Sequence, residues 1–432
     1  MSRAAAAPAI FLLLFLPVYF SGLDGLPFHP DETSLLFQSR DLELLLTDPR
    51  SMAWDEAKRG QADQQYRALN APLAKYALGL GRRLAGHRPD EVGTDWDWSL
   101  SWEENQERGA LPARSVLLPA RLASTALAVA GLGLFYRSGK RVGGMPGGLL
   151  ALLLVGLNAL VLLHGRRAMS EGTLLFGVGL ALWGILLGDR WPWLAGLGAA
   201  LAFSAKHTAL PLIPVGLLAA VWTTGPGGSG AALGRGSVRA AVYLATAALV
   251  VLALNPLLWS DPIGSGLDMV QARRALVQAQ IQAQAAHSPV RLPMSATDSL
   301  ASLIGQLYLT PLQFEELPNY SQESASAAAE YLRNPLNGLL RGEVLGVLLL
   351  GLTLVGILLG LTRLRRAQPA ERRDLGLLLL ATLLQALVLV ITLPFPYQRY
   401  YLALLPLCML WVGYALVQTA AQMKRLPRFR AA

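Results

Sequence analysis

"WPWLAGLGAALAFSAKHTALPLIPVGLLAAVW", residues 191–222, is one apolar run of 32 residues with a single formal charge, Lys206, beside His207 near its middle. About 20 apolar residues cross the ~30 Å hydrocarbon core of a bilayer. One continuous helix here would bury the Lys206 ammonium at mid-bilayer, at a cost of roughly 2.5–3.5 kcal/mol. Two short helices meeting at Lys206 avoid that cost, and Pro211 and Pro214 favour a break or kink. In either arrangement the lysine needs an anionic partner. The stretch predicts a polytopic all-α membrane protein with a charge poised between two helices.

Composition agrees. The chain has 432 residues, 53% of them hydrophobic and 15% charged, against about 25% charged in ordinary soluble domains. Further apolar runs at 5–23, 115–136, 146–164, 172–188, 239–258, 338–361, 375–393 and 400–418 join the halves 191–205 and 208–223 to give about ten spans. Residues 5–23 read as a retained first helix, because no small-x-small cleavage site follows them. The formal charge of +9 lies mostly in the connections between spans. With the N-terminus inside, Arg137, Lys140, Arg141, Arg190, Arg235, Arg239, the run Arg363–Arg373 and the basic tail all fall in the cytoplasm. The charge is thereby accounted for without nucleic acid. A single cysteine, Cys408, excludes a disulfide within the chain. Arg outnumbers Lys 32 to 5, which with abundant Ala, Gly and Leu suggests a GC-rich bacterial source and a cytoplasmic-membrane location.

The whole of 1–432 reads as one membrane domain with two long extracytoplasmic loops, 24–114 and 259–337. The first holds "RALNAPLAKYALGLGRRLAG", 67–86, apolar on one side and expected as a juxtamembrane helix in the interface. The second holds the amphipathic "MVQARRALVQAQIQAQAAH". "TTGPGGSGAALGRGS", 223–237, is expected to be a flexible cytoplasmic linker; it lacks the Gly-Lys-Ser/Thr ending of a phosphate-binding loop.

Several charges fall on the outer side, where the positive-inside rule gives no reason for them. They are Arg166, Arg167 and Glu171 in "HGRRAMSEGTLLF", Lys206 and His207, Arg399 in "PFPYQRYYLALLPL", and Asp31–Glu32 in "PFHPDETSLL". Cations converging on one membrane surface suit a lipid phosphate: arginine offers a planar fork and lysine a point charge. Blander roles exist for each. Boundary arginines snorkel to headgroups, Asp31 and Glu32 suit a helix N-terminus, and Glu171 sits one turn from Arg167. His29, His164 and His207 all map near the outer surface, but their spacing matches no metal-ligand motif. "DWDWSLSWEENQERG", 95–109, could cradle a sugar through Trp102 or anchor the interface.

Taken in order, these motifs resemble the GT-C membrane glycosyltransferases that use polyprenyl-phosphate sugars, most of all the protein O-mannosyltransferase and aminoarabinose-transferase group. "HPDE" resembles that group's first-loop acidic motif. "NAPLAKYALGLGRRLAG" resembles its juxtamembrane segment, with Asn70-Ala71 in place of His-Pro. "RRAMSEGTLLF" resembles its second outer loop, with Glu171 for Asp. "YQRYYLALLPL" resembles its Arg-Tyr segment. The resemblance implies a GT-C-like bundle and an inverting transfer of a hexosyl or pentosyl group from a polyprenyl-phosphate donor to a protein, lipid or glycan hydroxyl. It makes Asp31 the general base, with Glu32 and Glu171 orienting partners. Lys206, Arg399, Arg166, Arg167 and Lys75 fall to the donor phosphate, and His29, Asn70, Tyr400 and Trp102 to the sugar or acceptor. No cofactor is demanded, a divalent cation near Glu171 being the one candidate. A flippase would show mid-membrane charges and pseudo-repeats, neither of which is visible; a non-catalytic membrane subunit is the other alternative.

Overall fold

Apolar runs of this length satisfy their backbone polar groups only as helices when lipid surrounds them. The computed structural model describes residues 13–222, 229–284, 292–316 and 320–424, and among these it is helical with no strand. The first span is seen as a helix over 13–20, and the basic tail from 425 lies outside the described residues. Among the described residues four helices are long and apolar enough to cross a membrane: Arg114–Gly156, Gly234–Leu254, Glu343–Leu364 and Pro369–Thr392. Ser170–Leu186 and Pro192–Ala205 are apolar but shorter. The chain is an integral membrane protein.

The run 191–222 breaks where its charge requires. Pro192–Ala205 ends at Lys206, whose backbone is extended (φ −161°, ψ 129°), and a 3-10 turn His207–Ala209 leads into Leu212–Val221. Elsewhere the helices depart from the predicted spans for local reasons. Arg114–Gly156 reverses at Gly143 and Gly144, the latter at φ +67°, a left-handed value that glycine adopts without strain. The run 146–164 breaks at Asn158, whose side chain accepts from the Leu160 amide at 3.0 Å and starts the helix Ala159–His164. Of the expected linker, 223–228 lies outside the described residues, and the remainder is already helix, Ser229–Leu254. The juxtamembrane stretch is two helices, Ala62–Leu69 and Pro72–Leu84. Lys75 and Arg82 of the second turn inward and are buried rather than reaching headgroups.

Close approach between small residues joins the central helices. A Cβ built on Gly198 would stand 2.3 Å from the Ala181 nitrogen, and one on Gly184 2.6 Å from the Ala195 nitrogen. Ser170–Leu186 and Pro192–Ala205 therefore touch backbone to backbone, as lipid-embedded helices do when apolar burial alone cannot drive association. Around this pair the core takes in Leu174, Val178, Leu182, Leu402, Leu405 and Trp411, and encloses the lone Cys408.

Helix ends leave carbonyls without partners, and buried arginines supply them. Arg373 donates to Ile185 O, Leu186 O and Ala219 O at 3.0–3.2 Å, closing the ends of two short helices. Arg166 does the same for the first helix, donating from Nε to Tyr19 O at 2.9 Å and from Nη2 to Ser21 O.

Candidate active site

The chain leaves its first helix through "LPFHPDE" and starts a new helix, Pro30–Gln38, for reasons readable in the sequence. Proline fits the first helical position. His29 is the N-cap: its Nδ1 accepts from the Asp31 amide at 3.1 Å, while Glu32 Oε2 accepts from the His29 amide at 3.2 Å. This reciprocal cap fixes the first turn and separates the two acids. Glu32 turns inward, fully buried, and Asp31 turns toward a cavity of about 2270 Å³.

That cavity brings together six of the residues singled out from sequence: Asp31, Asn70, Lys206, His207, Arg399 and Tyr400. Its volume exceeds the ~300–1,000 Å³ of a typical small-molecule site. Arg399 Nη1 donates to Asp31 Oδ2. Lys206 Nζ donates to Glu171 Oε1 at 2.5 Å, and the second oxygen of Glu171 is buried without a hydrogen-bond partner among the described residues. The ring of Tyr400 joins the two pairs, with Lys206 Nζ 4.8 Å and Arg399 Cζ 5.5 Å from its centroid, distances at which a cation is attracted to an aromatic face.

Sequence reasoning missed Glu316. Its Oε1 lies 2.7 Å from Arg399 Nε and its Oε2 lies 2.7 Å from His29 Nε2. Because Nδ1 of His29 accepts from the Asp31 amide, Nε2 carries the proton and donates to Glu316. Asp31, His29, Glu316 and Arg399 thus close a ring across segments 368 residues apart in sequence. The acid pair in "QFEELP" was the available signal, but it lies in a loop without a distinctive motif. Also missed were Arg273 and Arg274, exposed in the cavity lining on helix Pro262–Gln284, which form no ion pair with a described residue.

The remaining predicted residues stand outside the cavity lining. Glu32 is gripped by Arg121, Nε and Nη2 donating at 2.8 and 2.7 Å, and accepts from the Ala168 amide at 2.8 Å. Arg167 is buried beneath it; its Nε donates to Pro27 O at 3.0 Å, and its terminal nitrogens have no hydrogen-bond partner among the described residues. Arg166 holds the first helix, as above. Lys75 donates to Asp41 at 3.3 Å, beside Arg67 on the same carboxylate. Trp102 packs against Phe28 and Trp96 at 5.7 and 5.3 Å; Trp96 and Trp98 reach the cavity instead.

Burial alone would push the Asp31 carboxyl up. Arg399, with help from His29, outweighs it and holds Asp31 below the usual carboxylate value. Burial likewise opposes ionisation of Glu316, which Arg399 and His29 hold well below that value. Glu32 is held low against its burial by Arg121. The loop carboxylates are therefore ionised and internally compensated. No group of three or more His, Cys, Asp or Glu that could hold a metal ion occurs among the described residues.

No family model and no curated protein matches this sequence. Solved structures do match it. The chain is similar to the Archaeoglobus fulgidus oligosaccharyltransferase in its apo form, with a TM-score of 0.53 and 12% identity over 98% of this chain and 51% of that one. It is similar to the same organism's archaeal oligosaccharyltransferase AglB in complex with an inhibitory peptide and a dolichol-phosphate, with a TM-score of 0.51 and 11% identity over 98% and 51%. The S. cerevisiae protein O-mannosyltransferase Pmt1-Pmt2 complex bound to the sugar donor gives a TM-score of 0.42 and 14% identity over 62% and 34%. The chain spans about half the length, or less, of these three solved structures. The two likenesses to the archaeal enzyme show the fold, and the all-helical bundle expected from the sequence is the fold found among the described residues.

Proposed function

We propose that this protein is a glycosyltransferase that moves a sugar from a polyprenyl-phosphate donor to an acceptor hydroxyl at the extracytoplasmic face of a bacterial cytoplasmic membrane. The observation that carries the reading is the shared cavity of Asp31, Lys206 and Arg399, drawn from three distant segments. The alternation of basic connections supports the outward orientation.

The donor's tail stays in the bilayer, held by about 0.8 kcal/mol per buried methylene. Its phosphate is met by cations. Lys206 and Arg399 each already face an internal acid, so the uncommitted Arg273 and Arg274 are suited to add the remaining charge. The acceptor oxygen attacks the anomeric carbon and its proton passes to Asp31. The bond from that carbon to the phosphate oxygen breaks, and its electron pair stays on the lipid phosphate. One displacement of this kind inverts the anomeric centre. General-base help is worth roughly 10²–10⁴-fold, and preorganised donors on the leaving oxygen about 2.7–4 kcal/mol.

The resting ion pair has a mechanistic meaning. A carboxylate held low by Arg399 is a weak base. A phosphate that draws Arg399 toward itself removes that restraint and raises the basicity of Asp31. Donor binding would thereby arm the base, favouring donor before acceptor. The test is to incubate purified protein with a panel of polyprenyl-phosphate sugars and measure release of free lipid phosphate. Wild type turns over at least one donor. Asp31→Asn loses about 10²-fold or more while still binding the lipid phosphate; unchanged turnover in that variant overturns the role of Asp31.

A further inference from the structure

We infer that the cavity wall formed by Trp98, Asp95 and Tyr66 is the acceptor subsite and that it takes a neutral sugar. This rests on the transferase reading above, and it names the acceptor class that reading leaves open. The three residues line the same cavity as Asp31. Trp98 is 41% exposed, yet its ring is not loose. It leans on Tyr320 at 6.0 Å between centroids, and Tyr320 meets Trp96 and Trp102 at 5.3 and 6.1 Å. The Tyr320 hydroxyl donates to Leu100 O at 2.9 Å and accepts from Trp96 Nε1 at 3.3 Å. The outcome is a preorganised aromatic face open to the cavity. Such a face carries negative quadrupole density, which suits the weakly positive C–H face of a pyranose. Asp95 beside it accepts from the Trp96 amide at 2.8 Å and is hydrogen-bonded to the Tyr66 hydroxyl, a fixed polar pair whose remaining acceptor sites face sugar hydroxyl groups.

Charge narrows the ligand. Residues 89–107 hold seven acids; of these Asp95 lines the cavity beside Trp98, and Asp90 and Asp97 are paired with the flanking Arg88 and Arg108. A phosphorylated acceptor would be repelled there, whereas the basic lining, Lys206, Arg273 and Arg274, comes from other elements. The same acids argue against Trp98 as a bilayer anchor, since anionic headgroups attract basic segments and not acidic ones.

The experiment is ligand-observed NMR on the full chain in lipid nanodiscs, with methyl glucoside, methyl galactoside and methyl mannoside as probes. Glucose 6-phosphate and a Ser/Thr-containing peptide serve as competitors. At least one glycoside is expected to bind. Trp98→Ala should weaken it roughly tenfold, and Trp98→Tyr should restore most of the loss. Glucose 6-phosphate should bind less well. The inference is overturned if no glycoside binds, if Trp98→Ala leaves binding unchanged, or if the phosphorylated sugar or the peptide binds more tightly in a Trp98-dependent way. Lipid-phosphate release, measured in parallel, separates the two readings. Donor turnover without Trp98-dependent sugar binding rejects the subsite alone. Trp98-dependent sugar binding without turnover of any donor keeps the sugar site and rejects the transferase.

Discussion

Arg121 divides one guanidinium between two tasks. Nε and Nη2 grip both oxygens of the buried Glu32, while Nη1 donates to Leu23 O at 2.6 Å and Leu26 O at 3.2 Å. A lysine could hold the carboxylate or the carbonyls, but not both, because only the planar fork reaches them together. Arg166 and Arg373 bind carbonyls in the same manner, which gives the 32-to-5 excess of arginine a structural use beyond base composition. Arg121→Met leaves Glu32 buried without its principal partner, a loss of about 3–5 kcal/mol. Thermal unfolding in detergent should show a markedly lower midpoint, and the variant should still lose helix in one step. Acid acts in the same direction. Glu32, Asp31 and Glu316 are each held below their unfolded values, so their contribution is whole above about pH 4.3 and fades as the pH falls through the lower folded values. What the sequence reveals at this scale is that a residue is unhappy in lipid, as with Lys206. It does not reveal which residue satisfies it. Arg121 and Glu32 are 89 positions apart, and Glu316 meets His29 across 287; no periodicity links such pairs.

Among the helices, the pair Ser170–Leu186 and Pro192–Ala205 is set by side chains that are nearly absent. Gly198→Leu would drive a Cβ into the Ala181 backbone and should cost more than the about 1–3 kcal/mol of ordinary overpacking. Gly351→Leu is the control, since nothing lies within 4 Å of a Cβ there. Size-exclusion yield of monodisperse protein should collapse for the first and hold for the second. The break at Lys206 was legible because charge, length and prolines agree on it. The break at Asn158 was not: Leu157 and Ala159 flank it without a charge or proline, and the cap appears only once the Asn158 side chain is seen to accept from Leu160. The helix from Ser229 runs through glycines that composition alone marks as linker.

For the molecule as a whole, hydropathy and the basic connections sufficed to predict the bundle. The likeness to an archaeal oligosaccharyltransferase at 12% identity shows how little side-chain identity that bundle needs. The sharing of one cavity by Asp31, Lys206 and Arg399 was anticipated by assigning all three, from sequence, to one side of the membrane. The platform at Trp98 was not, because the loop's three tryptophans look alike in sequence and only folding decides which ring is left uncovered.

Pro192–Ala205 has 14 residues, about 21 Å at 1.5 Å per residue, against a hydrocarbon layer of ~30 Å. Although most of this helix is buried between its neighbours, the lipid that meets its remaining strip would have to thin, bringing headgroups down toward Lys206. A long-chain substrate would then slide along a shallow ramp, its polar end never crossing a full apolar depth. Turnover in reconstituted vesicles should accordingly be faster in short-acyl bilayers than in long ones, where each added ångström of mismatch costs a fraction of a kcal/mol.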